Sequence, residues 1–369
     1  MTLVLLDPDA SRRTASTGFE YPLGVYPVEP VASKPGYVEK FEAADGAEPF
    51  IDVPDAEDWE EWPDRFMFDV LLPAPRLPAF LRTVLTLLPT RVYPILDVLG
   101  NDAYREIDPY IAYDLVGLDR LMNGLIEFGP WLFEDGLVGF GAMSIEPFVY
   151  VFVDEHKIVT VRVQLDLKEK LEKILAAFDL EPVDEIAGPD SASHEHRGVL
   201  VAPAEDPSAL SAEEAVEKLR TDWCLELNVA GETNVDDAGN DLGKTPWRCV
   251  IRCGTGDPGG SRYAEVLLVA GSLDEAEELA VDAIVDRCAG AEGWVEIEPV
   301  VCDRLTAEGL GAELGREPPA EAVGPGARAG VLELRWPEGE PVGGPADRTD
   351  AGGPGAGPSD GPARGSAGG

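Results

Sequence analysis

Phe148-Val149-Tyr150-Val151-Phe152-Val153-Asp154-Glu155-His156-Lys157-Ile158-Val159-Thr160-Val161-Arg162-Val163-Gln164-Leu165 reads as two very apolar strands joined by four polar residues. In its second half, Val159, Val161, Val163 and Leu165 alternate with Thr160, Arg162 and Gln164. That period of two buries one face of a strand and leaves the other wet. A short polar tip between such runs predicts an antiparallel hairpin. A sheet with one dry face needs helices to cover it, so the fold class expected is α+β.

The neighbouring sequence extends the pattern on both sides. Strands are expected at 66–72, 91–98 and 137–143, and a further one at 131–133, which makes a β-meander of 131–165. Leu77, Phe80, Leu81, Val84, Leu85 and Leu88 recur at helical spacing, as do Leu118, Leu121, Met122, Leu125 and Ile126. Gly129-Pro130 ends the second of these helices. A helix over 167–178, with Asp166 at its N-cap, closes a first domain of residues 65–181.

Outside this block the character changes. Residues 1–64 are acidic and rich in proline and read as an extended arm, whose segment 55–62 is expected to form a short capping helix. Residues 182–210 read as a linker. A second domain, 211–336, is expected in the order α-β-β-β-α-β. It opens on the capping box Ser211-Ala212-Glu213-Glu214, has strands at 223–229, 247–253, 263–270 and 294–302, and a helix from Ser272 to Cys288. The tail, 337–369, is Gly, Pro, Ala and Asp with no aromatic residue and is expected to be disordered. The architecture predicted is therefore two tandem antiparallel-sheet domains with helices packed on one face, an arm and a tail.

The chain of 369 residues carries 70 Asp and Glu against 29 Lys and Arg, a formal net charge of −41. No stretch is basic, so a nucleic-acid backbone and an anionic membrane surface are both expected to be repelled. Only eight of the bases are lysines, which fits adaptation to high salt as well as it fits a GC-rich genome. No run of residues is apolar for long enough to span a membrane, and the N-terminus lacks a basic secretory signal, so the expected compartment is the cytoplasm.

Four places carry site chemistry on paper. Ala238-Gly239-Asn240-Asp241-Leu242-Gly243-Lys244-Thr245 fits a relaxed phosphate-loop pattern, but Pro246 leads into a strand where that motif needs a helix. The oxygens of 234–241 suit Ca²⁺, yet Thr245 stands where a bidentate Glu is required. His194-Glu195-His196 places two rings on one side of an extended backbone, with Asp190 as a third ligand. In a linker nothing orders such ligands, and His156 reads as a hairpin-tip residue, so no metal site, catalytic residue or cofactor is assigned. Among the five cysteines, Cys249 and Cys253 share a strand face about 13 Å apart, too far for one bridge, and read as core residues.

The preferred interaction patch is Asp102, Tyr104, Asp108, Tyr110, Tyr113 and Asp114, where tyrosines offer rigid contact area and acids steer a basic partner. Nucleophile elbows, dinucleotide fingerprints and zinc-protease motifs are absent from the sequence. The function expected is a non-catalytic module binding a basic protein. The alternative is a hydrolase using scattered carboxylates, with or without a metal.

Overall fold

Val149, Val151, Val153, Val159, Val161 and Val163 are all fully buried. Each contributes roughly 1.5–3 kcal/mol by leaving water, more than a surface ion pair supplies, so the hairpin anchors the sheet around it. A computed structural model describes residues 4–44, 62–201, 209–254, 262–287, 294, 296–324 and 326–337. The fold is α+β, and the chain divides into two compact units, Met1–Asp241 and Leu242–Gly369.

The first unit runs β1 (Val25–Pro27), β2 (Gly36–Glu42), β3 (Arg65–Leu71), α1 (Leu77–Val84), β4 (Arg91–Leu99), β5 (Ile107–Ile111), β6 (Val116–Gly117), α2 (Leu118–Glu127) and α3 (Gly129–Leu132). It continues with β7 (Val138–Ser144), β8 (Val149–Val153), β9 (Val159–Gln164), α4 (Lys168–Ala177), β10 (His194–His196), α5 (Ala212–Trp223) and β11 (Glu226–Leu227). The main sheet has the order β11-β5-β4-β7-β8-β9-β3-β2, with β6 pairing β4. All its pairings are antiparallel. One face of it joins the apolar stripes of α1, α2, α4 and α5 in a single core, to which Phe80, Leu121, Leu171 and Leu219 belong.

Several expectations are corrected here. Residues 129–132 form a helix where a strand was expected: Pro130 sits in its first turn, where a missing N–H costs nothing, and Trp131 and Leu132 turn into the core. Leu167, not Asp166, precedes α4, after a single 3₁₀ turn. Ser211 and Glu214 form the capping box, but the helix they open runs to Trp223, so only Glu226–Leu227 remain of the strand expected at 223–229. Inside the expected arm, Tyr37 and Phe41 sit four positions apart on one face of β2 and pack on Phe68 and Phe66 of β3. The prolines around this strand hide its alternation. The expected linker likewise carries β10, which pairs with β1 from the arm.

The second unit runs β12 (Thr245–Gly254), β13 (Arg262–Ala270), α6 (Leu273–Arg287), β14 (Glu296–Arg304), α7 (Ala307–Leu314) and β15 (Gly330–Arg335). Its antiparallel sheet has the order β14-β12-β13-β15. Helix α5, expected to open this domain, packs in the first unit. Trp223 is fully buried there against Gly124 of α2, so closely that a Cβ on Gly124 would lie 2.5 Å from Trp223 Nε1. The tail from 338 onward and most of the expected capping helix at 55–62 lie outside the described residues. Among the described residues no helix is long and apolar enough to cross a membrane.

The α2–α5 contact is directly testable. Gly124→Leu adds a good helix former but drives a side chain into the Trp223 ring. We expect it to lower the unfolding free energy by about 1–3 kcal/mol, read as a lower urea midpoint at unchanged slope. An unchanged midpoint would show that α5 does not depend on this contact.

Candidate metal centre

All three histidines of the chain meet at one point. His156 comes from the tip of the β8–β9 hairpin, and His194 and His196 from β10, 38 and 40 residues further on. His156 Nε2 lies 3.0 Å from His194 Nε2, which lies 3.1 Å from His196 Nε2. The three ring centroids are 4.7–4.9 Å apart.

Local structure explains how each ring reaches that point. Lys157 adopts a left-handed backbone, φ 64°, which lets the four-residue tip turn tightly. Asp154 Oδ1 accepts from Ile158 N at 2.7 Å and closes the turn. The Lys157 side chain goes inward and donates to Val138 O, leaving His156 at the surface end of the hairpin. Strand β10 holds His194 and His196 on one face because they are two residues apart. Its pairing with β1 sets Val25 opposite His196 and Pro27 opposite His194. On the opposite face the Tyr26 ring lies under the guanidinium groups of Arg13 and Arg197, at 3.6 and 4.0 Å.

The small sheet is pinned to the main one through two glycines. Gly24 N donates to Glu134 O at 2.7 Å, Arg197 N to Gly24 O at 2.8 Å, and Gly136 N to Arg197 O at 3.1 Å. A Cβ on Gly24 would sit 2.2 Å from Gly136 N, so the backbones can approach this closely only without side chains. Asp135, buried between them, accepts from Leu137 N and Val199 N, both at 2.8 Å. Burial pushes its carboxyl pKa up, and those two hydrogen bonds oppose the shift. Arg12 pairs with Glu134 at 2.6 Å and ties the first residues of the chain to the same corner.

Each ring's outward nitrogen decides its tautomer. His194 Nδ1 faces Ala192 O at 2.8 Å, and His196 Nδ1 faces Gly136 O at 2.7 Å. His156 Nδ1 lies 3.2 Å from a Glu155 carboxylate oxygen and 3.7 Å from one of Asp154. Carbonyl and carboxylate oxygens only accept, so Nδ1 carries the proton on all three rings. When all three rings are neutral, the three Nε2 atoms therefore turn unshared electron pairs toward one another. That arrangement is repulsive until a cation sits among them. A zinc ion bound tetrahedrally at 2.0–2.1 Å requires nitrogens about 3.3 Å apart, close to the spacing seen. Oxygen partners on the far nitrogen are the usual outer contacts of metal-bound imidazole.

The surroundings are acidic. The net effect of the Asp154 and Glu155 charges raises the His156 pKa against a desolvation that pulls it down, and Asp190 adds to the rise. His196 is lowered, first by desolvation and then by the His156 charge. Asp97 on β4 is pushed up to about 6 by burial, with the charge of Glu155 adding to the effect. Burial brings Lys157 down to about 8.

The segment read as an interaction patch is divided by the fold. Tyr110 is buried in the core beneath the Arg220 guanidinium, 5.1 Å from its ring centroid. Asp108 pairs with Arg105 at 2.6 Å, and the buried Asp102 caps the turn by accepting from Tyr104 N at 2.9 Å. Tyr113 and Asp114 are exposed, and the Tyr113 hydroxyl donates to Asn228 at 2.9 Å. Asp108 and Tyr110 belong to strand β5, an element that their reading as a surface patch passed over. In the loop weighed for phosphate and Ca²⁺, Asp236 Oδ1 accepts from Ala238 N and Asn240 N, at 3.0 and 2.8 Å, and Thr245 opens β12. The convergence was missed because residues 194–196 read as part of a linker, whereas they form β10, paired with β1 in the same unit as the hairpin tip.

Comparison with protein-family models, with curated proteins and with solved structures returns no match for this chain. The histidine geometry therefore carries the functional argument by itself.

Asp97 supplies a pH test of the acidic surroundings. Its folded pKa lies above the unfolded value, so the folded state binds more protons between about pH 4 and 6, and stability falls as pH rises through that window. Asp97→Asn is expected to flatten this part of the stability–pH profile and to be more stable than wild type at pH 7. Equal slopes in the two proteins would show that Asp97 is not desolvated.

Proposed function

We propose that this protein binds one zinc-class dication through His156, His194 and His196 and uses it for hydrolytic chemistry. The observation that carries the reading is the convergence of three Nε2 atoms, at 3.0 and 3.1 Å, whose Nδ1 atoms all face oxygen acceptors. Imidazole donors favour zinc, copper, nickel or iron over magnesium or calcium. Three protein nitrogens leave a tetrahedral ion one open position, the ligand count of catalytic zinc sites, where structural ones are closed by four. In such a position zinc lowers the pKa of a water to about 7.

The chain's own groups suit that task. The Glu155 and Asp154 carboxylates hold the His156 tautomer and supply negative charge that favours the cation. Asp97, with a pKa of about 6 and near enough to Glu155 to respond to its charge, is a proton acceptor matched to neutral pH. The rings are only half buried, so a substrate can approach the open position from solvent. The acidic field favours neutral or cationic substrates over phosphate-rich ones.

A second reading, docking of a basic protein, draws on the exposure of Tyr113 and Leu115 beside Asp114. It ranks below the metal reading because Tyr110 is buried and Asp102 and Asp108 are engaged with Arg105.

The test is titration of metal-stripped protein with Zn²⁺ and with Co²⁺. One ion per chain is expected, with the intense visible absorption of tetrahedral Co²⁺. His194→Ala is expected to weaken binding at least 100-fold by removing the central ligand. Gly24→Ala, which keeps all three histidines but forces apart the segments that hold His196, is expected to weaken it about 10-fold. Zinc-dependent cleavage of activated esters, lost in His194→Ala, would support the catalytic half of the reading. Binding no tighter than in the triple His→Ala variant would overturn the whole.

A further inference from the structure

The second unit places two sulfurs against each other inside its sheet. Antiparallel pairing of β12 and β14 sets Cys249 directly opposite Cys302. The hydrogen-bonding phase of that pair follows from one bond: Leu305 N donates to Pro246 O at 2.8 Å. Those residues are one step beyond the Trp247–Arg304 pair, hence opposite each other and hydrogen-bonded. Hydrogen-bonded and non-hydrogen-bonded pairs alternate along an antiparallel ladder. Arg248–Asp303 is therefore hydrogen-bonded, and Trp247–Arg304 and Cys249–Cys302 are not. The register stays regular up to Val250, and the irregularity begins after it.

At a non-hydrogen-bonded pair the Cα atoms approach to about 4.5 Å and the side chains are at their closest. That separation lies within the 4.4–6.8 Å range that a disulfide bridges. Cys249 is near enough to Cys302 to raise its pKa. Cys253, also buried on β12, is in register with Ile297 on β14 and Arg262 on β13.

We propose that Cys249 and Cys302 form a reversible cross-strand disulfide when the protein meets a small-molecule disulfide oxidant. Cys302 is less buried than Cys249, so Cys302 reacts first. Its thiolate attacks one sulfur of the oxidant, forming a mixed disulfide and releasing one thiolate. The Cys249 thiolate then attacks Cys302 Sγ, closing the protein disulfide and expelling the second. Two protein thiols lose two protons and two electrons, and the oxidant is reduced to two thiols. The contact with Cys249, burial, and the charges of Glu277 and Asp303 all raise the Cys302 pKa, so the reaction is slow at pH 7 and faster in alkali. The bridge closes the loop from 249 to 302 and restrains the unfolded chain.

The experiment treats the full chain, folded, with excess glutathione disulfide at pH 8, caps remaining thiols with an alkylating agent, and maps peptides by mass without reduction. A peptide pair joined through Cys249 and Cys302, lighter by two hydrogens and separated by dithiothreitol, is expected, with a raised urea midpoint for the second unit. Cys302→Ala is expected to leave Cys249 in thiol form under the same treatment. Three results would overturn the proposal: Cys302 carrying only a stable glutathione adduct, Cys302 joined to Cys288 or Cys224, or both thiols unmodified after Cys224 is consumed. Because the wild-type map decides the question, a poorly folding variant does not cloud it.

Discussion

The burial of six valines in the β8–β9 hairpin is the constraint on which the first unit depends. Shifting either strand by one residue would turn its valines to water and bring Tyr150, Phe152, Thr160 and Arg162 into the core, so the register has no near competitor. The same register fixes the length and position of the tip. His156 therefore inherits its place from a packing requirement that has nothing to do with metal. A side chain on so firmly registered a turn is held in place without an ion, as the proposed metal site requires.

The second half of the site depends on backbone approach. Gly24 and Gly136 let three strands of chain, distant in sequence, come within hydrogen-bonding range, and Asp135 satisfies the amides that this approach buries. Arg12, Arg13 and Arg197 fasten the outer layer through Glu134 and Tyr26. In a chain with so few bases, three of them are used at this corner. The global negative charge, which argues mainly about solvent and about polyanions, here has a local meaning as well, since the carboxylates around His156 favour a dication.

Much of the architecture was legible from periodicity. The hairpin, α1, α2, β4 and the paired strands β12 and β13 stand where alternation or helical spacing puts them, because those patterns record which side of an element is dry. Legibility failed where tertiary contact outweighed local signal. Tyr37 and Phe41 were obscured by surrounding prolines, Trp131 turned inward on a short helix begun by Pro130, and α5 docked on α2 through Trp223 and Gly124. The tyrosines at 104–113 looked like a surface because a five-residue strand containing Pro109 gives a weak alternation signal.

By itself the sequence determined the fold class, the registered hairpin, the shared face of His194 and His196, and the net negative charge. Each is a local or summed property: side-chain periodicity, two-residue spacing, net charge. Only the tertiary structure decided that residues 22–27 and 193–199 close over the hairpin tip, so that three histidines converge, and that Cys302 lies opposite Cys249. Those are distances between segments tens of residues apart, set by core packing and strand register, and no local pattern encodes them.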